Sequence, residues 1–251
     1  MVRPLLCELH AHTTWSDGAL PLHDLVELYG DAGFDVLCIT DHTHPASDEW
    51  AHLGVRPHRQ PAYFQQVEEE AELAWSRYGL LLLPGLELTV NSRCPDSAAH
   101  AVAVGLTSPI NLDDGIGQAM ATARDAGAAV IAAHPSGPEV PPPGATRRFW
   151  RELDTFAALV DRWELINGHT AFPWVAEARL PVVASGDFHQ LEHLATWKTL
   201  LPCEQDERAI LDFLRSDARV HLTVFDPRDE PLTQRPRTRA ASSSSRSIRR
   251  R

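Results

Sequence analysis

Short apolar runs alternate along this chain with stretches whose apolar positions recur at intervals of three and four. PLLCEL opens the chain as an extended run, and in PLHDLVELYGDAG the residues Leu22, Leu25, Val26 and Leu28 fall at helical spacing. Pro21 suits the first turn of that helix and Gly33 its stop. FDVLCIT, apolar and β-branched, predicts a buried strand, and PAYFQQVEEEAELAWSRYG predicts a helix whose Glu68, Glu69, Glu70 and Glu72 form a solvated face. LLLLPGLELTV, HAVAVGL, AAVIAAHP, DRWELING and PVVASGDFH read as further strands, with DDGIGQAMATARDAG, WRELDTFAALV and AFPWVAEARL as helices among them. TWKTLLP, a helix from about Glu204 to Ser216, and VHLTV close the pattern. The stretch from Asp41 to about residue 60, and EVPPPGATRR, predict loops. Strand followed by helix recurs about seven times. Such alternation predicts an α/β fold with a parallel sheet closed into a (β/α)7 barrel, in a single domain without internal repeats.

Composition narrows the class. At 251 residues and 43% hydrophobic content the chain has the size of such a barrel and can bury a full core. No apolar run approaches the roughly 18–20 residues of a bilayer span, and MVRPLL is too short for a signal peptide. The expectation is a cytoplasmic protein with no membrane partner. Cys7, Cys38, Cys94 and Cys203 show no CxxC spacing and read as reduced thiols. The net charge of −11 conceals an asymmetry, because residues 235–251 hold seven arginines and no acid. Residues 1–234, the expected barrel, are left with 16 basic against 34 acidic residues, and 235–251 read as a disordered Arg/Ser-rich tail. An acidic body is unsuited to gripping nucleic acid. It suits a site whose negative charge is offset by bound cations.

The polar residues that punctuate the strand ends carry the chemistry. In HAHTTWSDG the period-two geometry of extended backbone turns His10 and His12 to one side, and Gly18 lets the loop return Asp17 to the same place. Two imidazoles and a carboxylate begin a divalent-metal site. ITDHTH adds His42, and Glu87 is the one acid in the run LLLLPGLELTV, costly to bury unless paired or bound to a cation. HAVAVGL begins with His100, AAVIAAHP ends in His134, and SGDFH offers Asp187 and His189 at a two-residue spacing. Nine candidates exceed the three or so protein ligands of a single catalytic ion and imply two or three metals. Eight of the nine fall at or after the C-terminal end of an apolar run; His100 is the exception.

HAHTTWSDG, ITDHTH, PGLELTV, the HP of AAHPSG and SGDFH, in this order over roughly residues 5–200, resemble the motifs of the polymerase and histidinol phosphatase (PHP) family of metal-dependent phosphoesterases. The resemblance implies a distorted seven-stranded barrel with a trinuclear metal centre. It places His10, His12, Glu87 and Asp187 on one ion, has Glu87 bridge to a second held by His100 and His134, and gives the third to Asp17, His42 and His189. Asp17, His42, Glu87 and His189 are then the residues expected nearest the reaction. A metal-activated hydroxide would attack a small phosphate ester, a nucleotide or another phosphomonoester, with no serine or cysteine nucleophile. Manganese, zinc and iron all suit these ligands. His44, Arg93, Asn167, His169 and Lys198, the one lysine of the chain, sit near strand ends as candidate substrate contacts, each equally consistent with a solvated loop. Asp41 either orients His42 or caps the next turn, and Trp15 reads as a wedge that packs its loop. Two other readings remain open at this level: an amidohydrolase-like enzyme cleaving C–N bonds, whose usual bridging ligand is a carboxylated lysine, and an inactive metal-binding module.

Overall fold

The computed structural model of the chain describes residues 3–138 and 146–228. Its strands are β1 (Leu5–Glu8), β2 (Val36–Ile39), β3 (His42–Thr43), β4 (Leu81–Val90), β5 (Ala99–Val104), β6 (Ala129–Ala133), β7 (Arg162–Asn167), β8 (Thr170–Ala171), β9 (Val182–Ser185), β10 (Trp197–Leu201) and β11 (His221–Val224). The helices are α1 (Leu22–Asp31), α2 (Gln60–Tyr78), α3 (Ile116–Asp125), α4 (Arg148–Arg151), α5 (Leu153–Phe156), α6 (Pro173–Glu177) and α7 (Glu207–Leu214). The expected boundary at residue 234 and the tail 235–251 lie outside the described residues.

Local chemistry sets the longer helices. In α1, Leu22, Leu25, Val26 and Tyr29 share one buried face, Pro21 precedes the first turn, and Gly33 just beyond the end has φ 83°. α2 ends at Gly79, which at φ 63° allows its own N–H to reach the Trp75 carbonyl and that of Leu80 the Ala74 carbonyl. WRELDTFAALV, expected as one helix, forms two four-residue pieces that meet at Glu152, whose φ of −114° and ψ of 34° interrupt the helix.

The strands form one mixed sheet in the order β11-β10-β1-β2-β4-β5-β6-β7-β8, with β3 beside β4 and β9 beside β7. β1, β2 and β4 run parallel, as do β6, β7 and β9, but β5 is antiparallel to both of its neighbours. The expectation of a wholly parallel sheet of repeating strand–helix units therefore does not hold. Only residues 91–98 separate β4 from β5, and a parallel crossover needs a dozen residues or more. TWKTLLP likewise becomes β10, antiparallel to β1.

The strand residues divide by period two into two apolar layers. Cys7, Leu9, Val36, Cys38, Leu83, Val102, Ile131 and Val183 pack together on one face with Ile210 and Leu214 of α7. Leu37, Ile39, Leu82, Ala101, Val130 and Ala132 pack on the other against α1, α2 and α3. The sheet curls far enough for the segments beyond β1 and β9 to meet: His12 N–H donates to the Phe188 carbonyl at 2.9 Å and Phe188 N–H to the His10 carbonyl at 3.1 Å. That contact joins the two segments that carry HAH and DFH.

Candidate metal centre

All nine candidate ligands lie at one end of this sheet. Beyond β1, His10 and His12 are fully buried, while Ala11 between them packs into the apolar core and its backbone forms a bridge with Phe188. The loop to Gly18 brings Asp17 back because Asp41 holds it: the Asp41 carboxylate accepts from Thr13 N (2.8 Å), Thr13 Oγ1 (2.8 Å), Ser16 N (3.0 Å) and Ser16 Oγ (2.6 Å). A Cβ at Gly18 would collide with the His12 carbonyl, so the return needs a glycine. Register does the rest. His42 pairs with Glu87 across β3 and β4, and Thr89 with His100 across β4 and β5. The reversal of β5 explains why His100 begins its run, since the start of an antiparallel strand lies at the same sheet edge as the ends of its neighbours. His134 (φ 30°) and Asp187 (φ 51°) are two of the three non-glycine residues with positive φ among those described. Such backbone persists only where its surroundings enforce it, and it concentrates at functional sites.

Three groups form, each with its ligand atoms within 4.8 Å of one another: His10, His12 and Asp187; Glu87, His100 and His134; and His12, Asp17, His42 and His189. Glu87 lies between them. Its Oε1 is 3.1 Å from His100 Nδ1 and 3.3 Å from His134 Nε2, and its Oε2 is 3.4 Å from His10 Nε2, 3.5 Å from His12 Nε2 and 2.7 Å from His42 Nδ1. Asp17 Oδ1 stands 3.3 Å from His189 Nε2 and 3.5 Å from His42 Nε2.

A divalent cation fits this donor set. His10 Nε2, His12 Nε2, Glu87 Oε2 and Asp187 Oδ1 are buried and have no hydrogen-bond partner among the described residues. They converge, with Asp187 Oδ1 at 3.4 Å from His10 Nε2 and 3.2 Å from His12 Nε2. Buried polar atoms are almost always satisfied, and four orphans facing one point are what an ion would satisfy at once. Without one, the imidazoles and carboxylates distort each other. Burial alone would raise Glu87, but His42, His10 and His100 hold it well below the usual carboxylate range. Burial would lower His42, but Glu87 and Asp17 push it up to about 10. Burial lowers His12 to about 3, with His42 and His189 adding to the effect.

The candidate substrate contacts separate into three kinds. His44 and Arg93 line a cavity of about 1080 Å³ that opens onto Asp17, His42 and His100, with Trp50, Leu53, Asn91 and Ser92 also in its walls. Asn167 is not free in the cleft, because its Nδ2 donates to Glu164 Oε2 at 2.8 Å and Asp187 Oδ2 at 3.2 Å. His169 is exposed in the turn between β7 and β8 and lines no part of that cavity. Lys198 is corrected outright: it is fully buried, 2.6 Å from Glu8 Oε2, and presents nothing to a substrate. Asp41 makes no side-chain hydrogen bond to His42; it braces the loop of Asp17. Trp15 packs that loop, with Nε1 donating to Gln66 Oε1 at 2.7 Å.

Four supporting residues escape the sequence reading. Glu164 faces His10 Nδ1 at 3.0 Å, Thr89 Oγ1 lies 2.7 Å from His42 Nδ1, and Asn91 Oδ1 lies 3.1 Å from His100 Nε2. His193 Nδ1 lies 3.0 Å from the His189 N–H and the Asp187 carbonyl. For Glu164 the signal was present, a lone acid in the apolar strand DRWELING, as Glu87 is in its own strand.

The family model of the PHP domain matches residues 8–132, which run from the end of β1 through most of β6 and hold six of the nine candidate ligands. That match identifies residues 8–132 of the chain as a PHP domain. Among solved structures it is similar to a two-domain protein from Bacteroides vulgatus that contains a predicted PHP-like metal-dependent phosphoesterase, at 22% identity and a TM-score of 0.65. That match covers 89% of this chain but 65% of the other, so the chain spans less than two thirds of that relative. A candidate metal-dependent phosphoesterase from Bifidobacterium adolescentis matches at 20% identity with a TM-score of 0.47, covering 73% of this chain and 87% of that one. An amidohydrolase from Chromobacterium violaceum, solved with sulfate and no metal, matches at 16% identity with a TM-score of 0.49 over 73% of this chain and 87% of the other. No curated protein matches the sequence significantly. No helix among the described residues is long and apolar enough to cross a membrane.

Proposed function

We propose that this chain is a cytoplasmic hydrolase of small phosphate esters that works through two to three divalent metal ions. The observation that carries the reading is the convergence of four buried, unpartnered atoms at the junction of two ligand groups, with Glu87 in reach of all three. His10, His12, Asp187 and Glu87 would hold one ion, Glu87, His100 and His134 a second, and Asp17, His42 and His189 a third. Bound there, such ions acidify a water into a nucleophile and neutralise phosphoryl oxygens. The chain's own groups do the rest. Glu87 ties the three clusters together, and the acidic cluster stays ionised because its histidines hold its carboxylates below their ordinary range. Asp17 and His189 are the most open ligands and, with His42 beside them, face the incoming ester. The cavity beside them has room for a leaving group of nucleotide size, with Trp50 and Leu53 as its exposed apolar wall.

A C–N hydrolase of the amidohydrolase type would call for a bridging lysine. Lys198 is paired with Glu8, and Glu87 occupies the bridging place. The deciding experiment is elemental analysis of protein purified without chelator, together with hydrolysis of p-nitrophenyl phosphate and bis(p-nitrophenyl) phosphate in added manganese. Two to three ions per chain with turnover supports the proposal, and the preferred ester separates monoesterase from diesterase. Bound metal without hydrolysis of either ester would overturn it in favour of C–N cleavage or an inactive module.

A further inference from the structure

One buried carboxylate at the centre has no assigned role. Glu164 on β7 is 1% exposed, and among the described residues no lysine or arginine pairs with it. Its oxygens instead meet donors from four segments. Oε1 faces His10 Nδ1 at 3.0 Å and accepts from the Ser185 hydroxyl; Oε2 accepts from the His134 backbone N–H at 2.6 Å and from Asn167 Nδ2 at 2.8 Å. Asn167 passes a second hydrogen bond to Asp187 Oδ2. One carboxylate therefore reaches three candidate ligands, His10 through its ring, His134 through its backbone and Asp187 through one amide.

We propose that Glu164 is a positioning residue of the metal centre, fixing His10 with its hydrogen on Nδ1 so that the lone pair of Nε2 is presented to a divalent cation, and holding His134 in its left-handed backbone. The inference rests on the metal-dependent reading above. A neutral imidazole has one N–H and one lone pair, and an ionised carboxylate only accepts, so the hydrogen must lie on the side facing Glu164. Nε2 is then left with its lone pair towards Glu87 Oε2 and Asp187 Oδ1, both at 3.4 Å. Three acceptors facing one another repel unless a cation lies among them. The same cation, transmitted through the imidazole, supplies the positive charge that Glu164 lacks. Glu8 is the instructive contrast. It too is buried and braces the same strand ends, accepting from Gly186 N at 2.8 Å, but Lys198 neutralises it and no ligand side chain touches it.

Glu164→Gln tests this, since an amide keeps the size but turns an NH2 towards one of the four donors. Zinc is titrated calorimetrically into chelator-stripped wild type, E164Q and, as a control for instability remote from the site, Arg162→Lys. E164Q is expected to lose about 10- to 100-fold in zinc affinity, with R162K unchanged. E164Q binding as tightly as wild type overturns the role of Glu164 and leaves the metal reading standing; wild type binding no zinc overturns that reading itself. A drop in R162K equal to that in E164Q would show general destabilisation and count against the proposal. Should E164Q fail to fold, the long-range 1H–15N spectrum of zinc-loaded wild type decides. A His10 hydrogen on Nδ1 supports the assignment, and one on Nε2 overturns it.

Discussion

Asp41 accepts four hydrogen bonds from Thr13 and Ser16, and through them it shapes the loop that returns Asp17 to His42 and His189. Asp41→Asn would aim an amide N–H2 at some of these donors, at a cost of about 1–3 kcal/mol for each buried group left unsatisfied. The expected outcome is a lower midpoint of thermal unfolding and about one fewer ion per chain by elemental analysis; unchanged metal content would mean that Asp17 is held by something else. At the surface, His23 is raised above its ordinary value by the hydrogen bond its ring donates to Glu70 and by the charge of that residue. Because the folded value is the higher one, the pair supports the fold fully below about pH 6.5, the unfolded value, and the support fades as pH climbs through the folded value. An NMR titration of His23 should show a midpoint above about 6.5 that falls towards it in Glu70→Gln. At this scale the candidate ligands were legible because HAH, DH, HP and DFH are local motifs. Glu164 and His193 were not, because their meaning is a contact: what they touch lies on other strands.

Among the elements, the reversed strand β5 is the one whose direction decides the site, placing His100 at the edge with the rest. Its direction could have been read from the few residues between Val90 and Ala99, too few to cross over, whereas its apolar pattern alone is the same either way round. The pairing of β10 with β1 was not legible for a related reason, since a run such as TWKTLLP does not say which strand it will pair with. α7 depends on an element far from it in sequence. Arg162 at the start of β7 donates to the carbonyls of Leu214 (2.9 Å), Phe213 (3.0 Å), Ser216 (2.5 Å) and Ala218 (2.8 Å), where that helix ends. Arg162→Ala should cost at least about 1.5–3 kcal/mol, the worth of a hydrogen bond to a charged group. Lysine should restore little of it, because a point charge cannot fork to four carbonyls. Urea unfolding curves would measure both, and a loss under about 0.5 kcal/mol, the range of ordinary surface substitutions, would contradict the capping role.

Over the whole molecule, the two apolar layers set a rigid floor, and the acidic cluster stands on it at one end, beside a cavity of about 1080 Å³. Trp50, half exposed in the cavity wall, offers a flat face to a leaving group. Trp50→Ala should raise KM for an aryl phosphate by roughly 2- to 12-fold, the equivalent of about 0.5–1.5 kcal/mol of ring contact, and leave KM for glycerol phosphate unchanged. Equal effects on both esters would mean that Trp50 shapes the loop and not the substrate. The segment from Asn91 to Ala98 adds a further property. It joins β4, which carries Glu87, to β5, which carries His100, and it also supplies Asn91, Ser92, Arg93, Pro95 and Ala98 to the cavity wall. Both of its ends are pinned by the register of an antiparallel pair, so beyond Asn91, which meets His100, its length and sequence can vary while the candidate ligands stay in place. On the proposed function, substrate preference would be modular in this fold: the connection beyond Asn91 could be exchanged to retarget the enzyme without rebuilding its metal centre.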